Sequence, residues 1–179
     1  MKILLFAAVT FLFASSSIAQ SESDSTLNWP DTTDWVEVRV HQPVVNLKFK
    51  LPDGMKYYAH TKGITLFIND NLSYSIVRDE NESDFSMTAS KERLQSSEFR
   101  ENLVWKIDEE NMAYYVGDDT SAPAGYTATH SGYAKKTVAG RFFHIKIDSI
   151  TLSEGVVYSL SEEETLTLLT IFNSMYFSM

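Results

Sequence analysis

Residues 126–150, YTATHSGYAKKTVAGRFFHIKIDSI, read as two strands folded back on each other about Ala139-Gly140. The glycine supplies the positive φ that a two-residue hairpin loop needs. On the return strand, Arg141–Ile150, a side-chain period of two sends Phe143, Ile145 and Ile147 to the inward face. Phe142, His144 and Lys146 go to the opposite one. A two-residue loop also sets the register with the outgoing strand, Tyr126–Val138, opposing Lys135 to His144 and His130 to Ser149.

Downstream, Ser161-Glu162-Glu163-Glu164 is a capping box, with Ser at N-cap and Glu three residues on. Leu168, Leu169, Phe172, Met175 and Tyr176 then recur at helical spacing, giving one apolar stripe for a sheet face. Upstream, Trp35–Val40 and Val45–Leu51 alternate as strands, and Pro52-Asp53-Gly54 is a turn in which Pro presets one dihedral and Gly permits positive φ. Strands follow at Tyr57–His60, Ile64–Ile68 and Leu72–Val77, the last two joined by a tight Asn69-Asp70-Asn71 connection. Residues 87–100 carry helix formers and are expected as an internal helix, although 84–89 read equally well as a strand end. A second hairpin is expected from Leu103–Ile107 and Met112–Val116, followed by a loop at Gly117–Gly125. Antiparallel strands with one internal and one terminal helix give an α+β class, since crossover helices for a parallel sheet are too few.

The chain has 179 residues, 15 Lys+Arg against 24 Asp+Glu, 44% hydrophobic residues and no cysteine. One domain of that size buries enough surface to need no metal or disulfide staple. A formal net charge of −9 argues against a general nucleic-acid binder, because phosphate affinity needs basic density. The N-terminus supplies the address. Lys2 is followed by the apolar run Ile3–Phe13 and the small-residue stretch Ser15–Ala19, the three regions of a secretory signal peptide. Cleavage is expected between Ala19 and Gln20. Residues 20–34 then form a polar, flexible leader with Trp29-Pro30 as a docking point, and 35–179 form the domain. No later run is long and apolar enough to anchor the mature chain across a bilayer. Export without cysteine points to a bacterial periplasm or the exterior.

Chemistry-bearing motifs are sparse. His130 and His144 stand far apart in the hairpin register, which argues against a metal pair, and His41 and His60 are scattered. The acidic loop Asp79–Asp84 begins like a calcium loop, but an EF-hand would need Gly where Asp84 stands and Glu where Ser90 stands. Gly-x-Ser-x-Gly, Ser-x-x-Lys and phosphate-cradling glycine loops are missing, and no carboxylate pair stands out. No catalytic residue, metal ligand or cofactor is therefore assigned. The aromatic doublets Tyr57-Tyr58, Tyr114-Tyr115 and Phe142-Phe143 are the suggestive features. On a strand each puts one ring in the core and one on the opposite face, where it is core if a helix covers it and a binding patch if the face is open. Core is the favoured reading. Tyr58, Tyr115 and Phe142, with Phe172 from the terminal helix, are the candidate ligand or partner contacts.

Val45–Met55, VNLKFKLPDGM, resembles the apolar strand and Leu-Pro-x-Gly-aromatic opening of PsbP-like domains, with Met55 where that pattern carries Trp. The strand pair Tyr126–Val138 and Arg141–Ile150 and the closing Ile171-Phe172-Asn173-Ser174-Met175 are similar to theirs, over about residues 44–177. The resemblance implies an antiparallel sheet sandwiched by helices, shared with Mog-type proteins, and a binding or assembly role without catalysis. It carries over no partner and no site residue. The expectation is thus an exported, non-catalytic binding or assembly module of the bacterial envelope whose partner is a protein or envelope component. The alternative is a periplasmic carrier holding a small apolar ligand between sheet and C-terminal helix, against Phe143, Ile145, Leu169 and Phe172.

Overall fold

Val36–Gln42 (β1) and Val45–Leu51 (β2) pair antiparallel, from Val36 opposite Leu51 to Gln42 opposite Val45. The computed structural model describes residues 27–42, 45–70, 72–79, 85–96, 100–119, 129–148, 150–151, 157–158 and 160–177. Residues 1–19 and the Ala19–Gln20 cleavage point lie outside these, as do most of the Asp79–Asp84 loop and Ser149. After β2 come Lys56–His60 (β3), Gly63–Phe67 (β4) and Ser73–Asp79 (β5). Met87–Gln95 is the internal helix α1, followed by Arg100–Asp108 (β6), Met112–Asp119 (β7), Thr129–Val138 (β8) and Arg141–Ile147 (β9). Ile150–Thr151 (β10) and Val157–Tyr158 (β11) form a short ladder, Glu162–Asn173 is the helix α2, and Tyr176–Phe177 is β12.

The large sheet is antiparallel throughout, in the order β3-β4-β5-β9-β8-β7-β6, and the small one runs β1-β2-β12. The fold is α+β. The central hairpin has the expected register, with Val138 opposite Arg141 and Lys135 opposite His144. Its loop places both Ala139 (φ 50) and Gly140 (φ 70) in the left-handed region, the pair of dihedrals a type I′ turn requires. Alanine there costs about 1–2 kcal/mol, because Cβ crowds the following carbonyl. Asparagine tolerates the conformation better. Ala139→Asn is therefore expected to raise unfolding stability by roughly 0.5–1 kcal/mol, read as a higher urea midpoint with an unchanged slope.

Alternation along the strands divides the core in two. Ile76, Tyr114, Ala134, Phe143, Ile145 and Ile147 face α2 and β2 in one continuous apolar cluster. Ala113, Tyr115 and Tyr133 face the other way, against Met87 of α1 with Phe85, Leu103 and Trp105. The two helices thus cover opposite faces of the sheet. On β6 a bulge at Lys106 inserts one residue, so Trp105 joins the α1 side and Ile107 the α2 side, where regular alternation would put them together.

The α2 N-terminus is built as its capping box predicts: Glu164 N–H donates to Ser161 Oγ, and Ser161 N–H donates to the Glu164 carboxylate. Burial is broader than one stripe. Leu166 and Ile171 are as buried as Leu168, Leu169 and Phe172, because α2 is wedged between the two sheets, and Leu27 and Trp35 pack on the same core cluster. The leader's last residues therefore pack on the domain. At Gly132 α2 comes close to the sheet: a Cβ there would stand 3.4 Å from Leu169 Cδ1. The helix also ends sooner than its stripe suggests. Lys136 donates to the carbonyls of Asn173 (2.7 Å) and Met175 (2.8 Å), and burial holds its ammonium below the usual lysine value. Tyr176, expected on the helical stripe, instead lies opposite Lys48 in β12, where it satisfies the free edge of β2. The internal helix, expected over 87–100, stops at Gln95. Ser86 caps its start by accepting from Ala89 N–H, and Ser96 Oγ turns back to the Arg93 carbonyl at its end.

Candidate functional site

The four candidate contacts do not meet at one place. Tyr58 on β3 is 63% exposed, whereas Tyr115, Phe142 and Phe172 are 0%, 5% and 2% exposed. Tyr115 and Phe142 lie on the α1 side of the sheet and Phe172 on the α2 side. The doublets divide accordingly. Tyr114-Tyr115 and Phe142-Phe143 are core on both faces, while Tyr57 (40% exposed) and Tyr58 sit on the outermost strand of the large sheet.

At that edge the fold makes its largest described hollow, about 890 Å³. The Pro52-Asp53-Gly54-Met55 turn forms one wall, closed by a bond from Met55 N–H to the Pro52 carbonyl, with Gly54 at φ 79 as its sequence predicts. Tyr57 and Tyr58 of β3, Phe67 at the end of β4 and the following residues 68–70 form the second wall, and Glu163, Glu164 and Thr167 on the first turns of α2 form the third. Tyr57 stands edge-on to buried Phe49, ring centroids 5.9 Å apart, which fixes its ring at the groove wall. Tyr58 stacks on His60 on the other side of the strand. A second hollow of about 530 Å³ continues past Pro52, Glu163 and Thr167 toward Trp35, Pro30 and Asp31.

The groove is acidic. Asp31, Asp53, Asp70 and the three glutamates opening α2 line the two hollows, against Lys56 as the one basic residue lining them among the described residues. Lys56 pairs with Asp70 at 3.4 Å, and Glu164 is held by Ser161. Asp31 accepts from Thr33, which keeps its carboxyl below the ordinary value. Asp53, Glu162 and Glu163 line the hollows with no basic residue paired to them there among the described residues.

Other polar groups are packed into the domain. On the α2 side, Tyr114 Oη lies 2.6 Å from His130 Nδ1. Burial holds His130 below the ordinary imidazole value, with Lys106 adding to it and Glu162 opposing, while burial pushes the Tyr114 phenol up. The phenol therefore donates and the neutral imidazole accepts. On the α1 side, Asp79 and His144 approach to 2.6 Å off the line of a good hydrogen bond, beneath Phe85 stacked 4.5 Å above the imidazole. The hydroxyls of Tyr115 and Tyr133 are buried near one another, with Ser131 beside the first and Arg93 beside the second. Desolvation and then the Asp148 charge push both phenols up. Of these groups, Tyr114 and His130 form a hydrogen-bonded pair packed into the domain. No three His, Cys, Asp or Glu side chains converge as metal ligands among the described residues. Phe143, Ile145, Leu169 and Phe172, the residues expected to enclose a carried ligand, are all buried members of the packed α2-side cluster.

Sequence reading selected Tyr58 but missed Asp53, Tyr57 and Glu163 as parts of one groove. Its signals were the turn and the single doublet whose two rings are both exposed. Comparison with models of known protein families, with curated proteins and with solved structures finds no match for this chain.

Proposed function

We propose that this chain is an exported, non-catalytic binding or assembly module of the bacterial envelope, with the groove beside β3 as its contact face. The observation that carries this reading is the pair Tyr57 and Tyr58, exposed on the two sides of an outermost strand at the rim of the largest described hollow. Large aromatic surface left in water beside a concavity is what partner recognition uses. The signal-like N-terminus supports export, and the PsbP-like resemblance supports a binding role. No helix of the described residues is long and apolar enough to cross a membrane. The expected partner is therefore a protein or envelope component met at the surface of the domain.

A native mass spectrum of the chain purified from its own host tests this. The expected species begins at Gln20 and carries either no extra mass or a protein partner that Tyr58→Ala releases. A co-purifying small apolar molecule overturns the reading in favour of a carrier. Retention of residues 1–19 overturns export.

A further inference from the structure

Resting on that reading of the groove, we infer that its occupant is an extended peptide segment bearing lysine or arginine, laid along the open edge of β3 as an added strand. Three features converge on this chemistry. First, among the described residues β3 pairs with β4 alone and ends the large sheet, with β1 nearby but not hydrogen-bonded to it, so its outer edge offers backbone donors and acceptors to a further strand. A strand added there lies in the mouth of the hollow, because Lys56, Tyr57 and Tyr58 of β3 form its wall. Second, an added strand alternates its side chains between the two sides of the sheet. Those on the α2 side meet the ring of Tyr57 and the carboxylates of Asp53 and Glu163, and those on the other side meet Tyr58.

Third, the charge is one-sided. Among the described residues Asp53, Glu162 and Glu163 have no base paired to them in the lining, and the groove's one lysine is already taken by Asp70. An acidic or neutral strand would leave those carboxylates uncompensated, whereas lysine or arginine satisfies them and adds cation–π contact with the exposed tyrosines. A free polyamine would answer the charge but would leave the strand edge unpaired.

The test uses the full mature chain and a fluorescent peptide of alternating lysine and valine, followed by anisotropy and by amide shifts. The expected result is saturable binding in about 0.02 M salt that weakens several-fold in about 0.5 M. Amide shifts should centre on Tyr57 to Ala59. The Asp53→Asn, Glu163→Gln double variant should weaken binding by about threefold to tenfold while the domain stays folded, its thermal midpoint falling by only a few degrees because Glu163 is one of three glutamates at the start of α2. The same peptide N-methylated at alternate residues should lose binding by about tenfold if its backbone donates to β3. Equal binding of a glutamate-valine peptide overturns the charge argument. Spermine binding as tight as the peptide, or no effect of N-methylation, overturns strand addition. No binding, or shifts on another face, overturns the inference altogether, and an envelope protein still released from the host complex by Tyr58→Ala would then leave the contact-face reading standing.

Discussion

Gly63→Ala is expected to lower unfolding stability by roughly 3–5 kcal/mol, an unusually large loss for one methyl group. Gly63 has φ +148, a conformation that L side chains rarely adopt, and a Cβ built there falls 1.9 Å from the Ile76 carbonyl oxygen. That oxygen belongs to backbone and not to a flexible side chain, so it cannot swing aside. Gly63 pairs with His60 on one side and Val77 on the other, and relief of the clash must part β4 from β5. Gly54→Ala is the control. It also has positive φ (+79) but has nothing within 4 Å of its Cβ, so it should lose only the left-handed penalty, about 1–2 kcal/mol. Urea denaturation of the two variants reads the difference, and equal losses would refute the steric account. Because β3 hangs on β4, the same variant should also abolish amide dispersion at Tyr57 and Tyr58, and with it the rim of the groove.

Phe172→Ala is expected to lose about 3–5 kcal/mol, from the transfer of a buried ring to water and from the cavity left behind. The ring is 2% exposed on α2, inside the cluster that holds Leu169, Phe143 and Ile145. The size of the loss discriminates between packing and carriage. In a close-packed core the neighbours cannot collapse into the space, and the variant should acquire affinity for benzene-sized molecules. Phe172 also borders a hollow of about 590 Å³ beside Asn173 and Trp29. In a ligand cavity the truncation would only enlarge space already open, at the low end of that range or below it. A denaturant titration, with and without added benzene, separates the two.

Several levels of the fold were legible in the residues. The period of two placed Phe143, Ile145 and Ile147 on one face and His144 and Lys146 on the other, and Ala139-Gly140 set their register, because both depend on neighbours in sequence. The capping box at Ser161 was equally local. The limits of α1 were not legible, since the serines that end it compete weakly with helix formers until tertiary packing decides. Of the candidate contacts, Tyr58 was exposed and Tyr115, Phe142 and Phe172 were buried, a distinction that depends on which helix covers which face.

The amino-acid sequence by itself determined the main strands, the Pro52–Gly54 and Ala139–Gly140 turns and the alternation that gives the sheet two apolar faces, because these follow from φ/ψ preferences and side-chain periodicity within a few residues. By contrast, β7 runs on to Asp119 through residues that read as loop, and β9 stops at Ile147. Tertiary structure alone decided that Tyr176 would leave the helix to complete a strand edge, that Leu27 and Trp35 would pack on the large core cluster, and that Asp53, Tyr57 and Glu163 would share one groove. Those outcomes join residues far apart in the chain. They depend on which unpaired backbone edges and apolar surfaces remain once the local elements have formed.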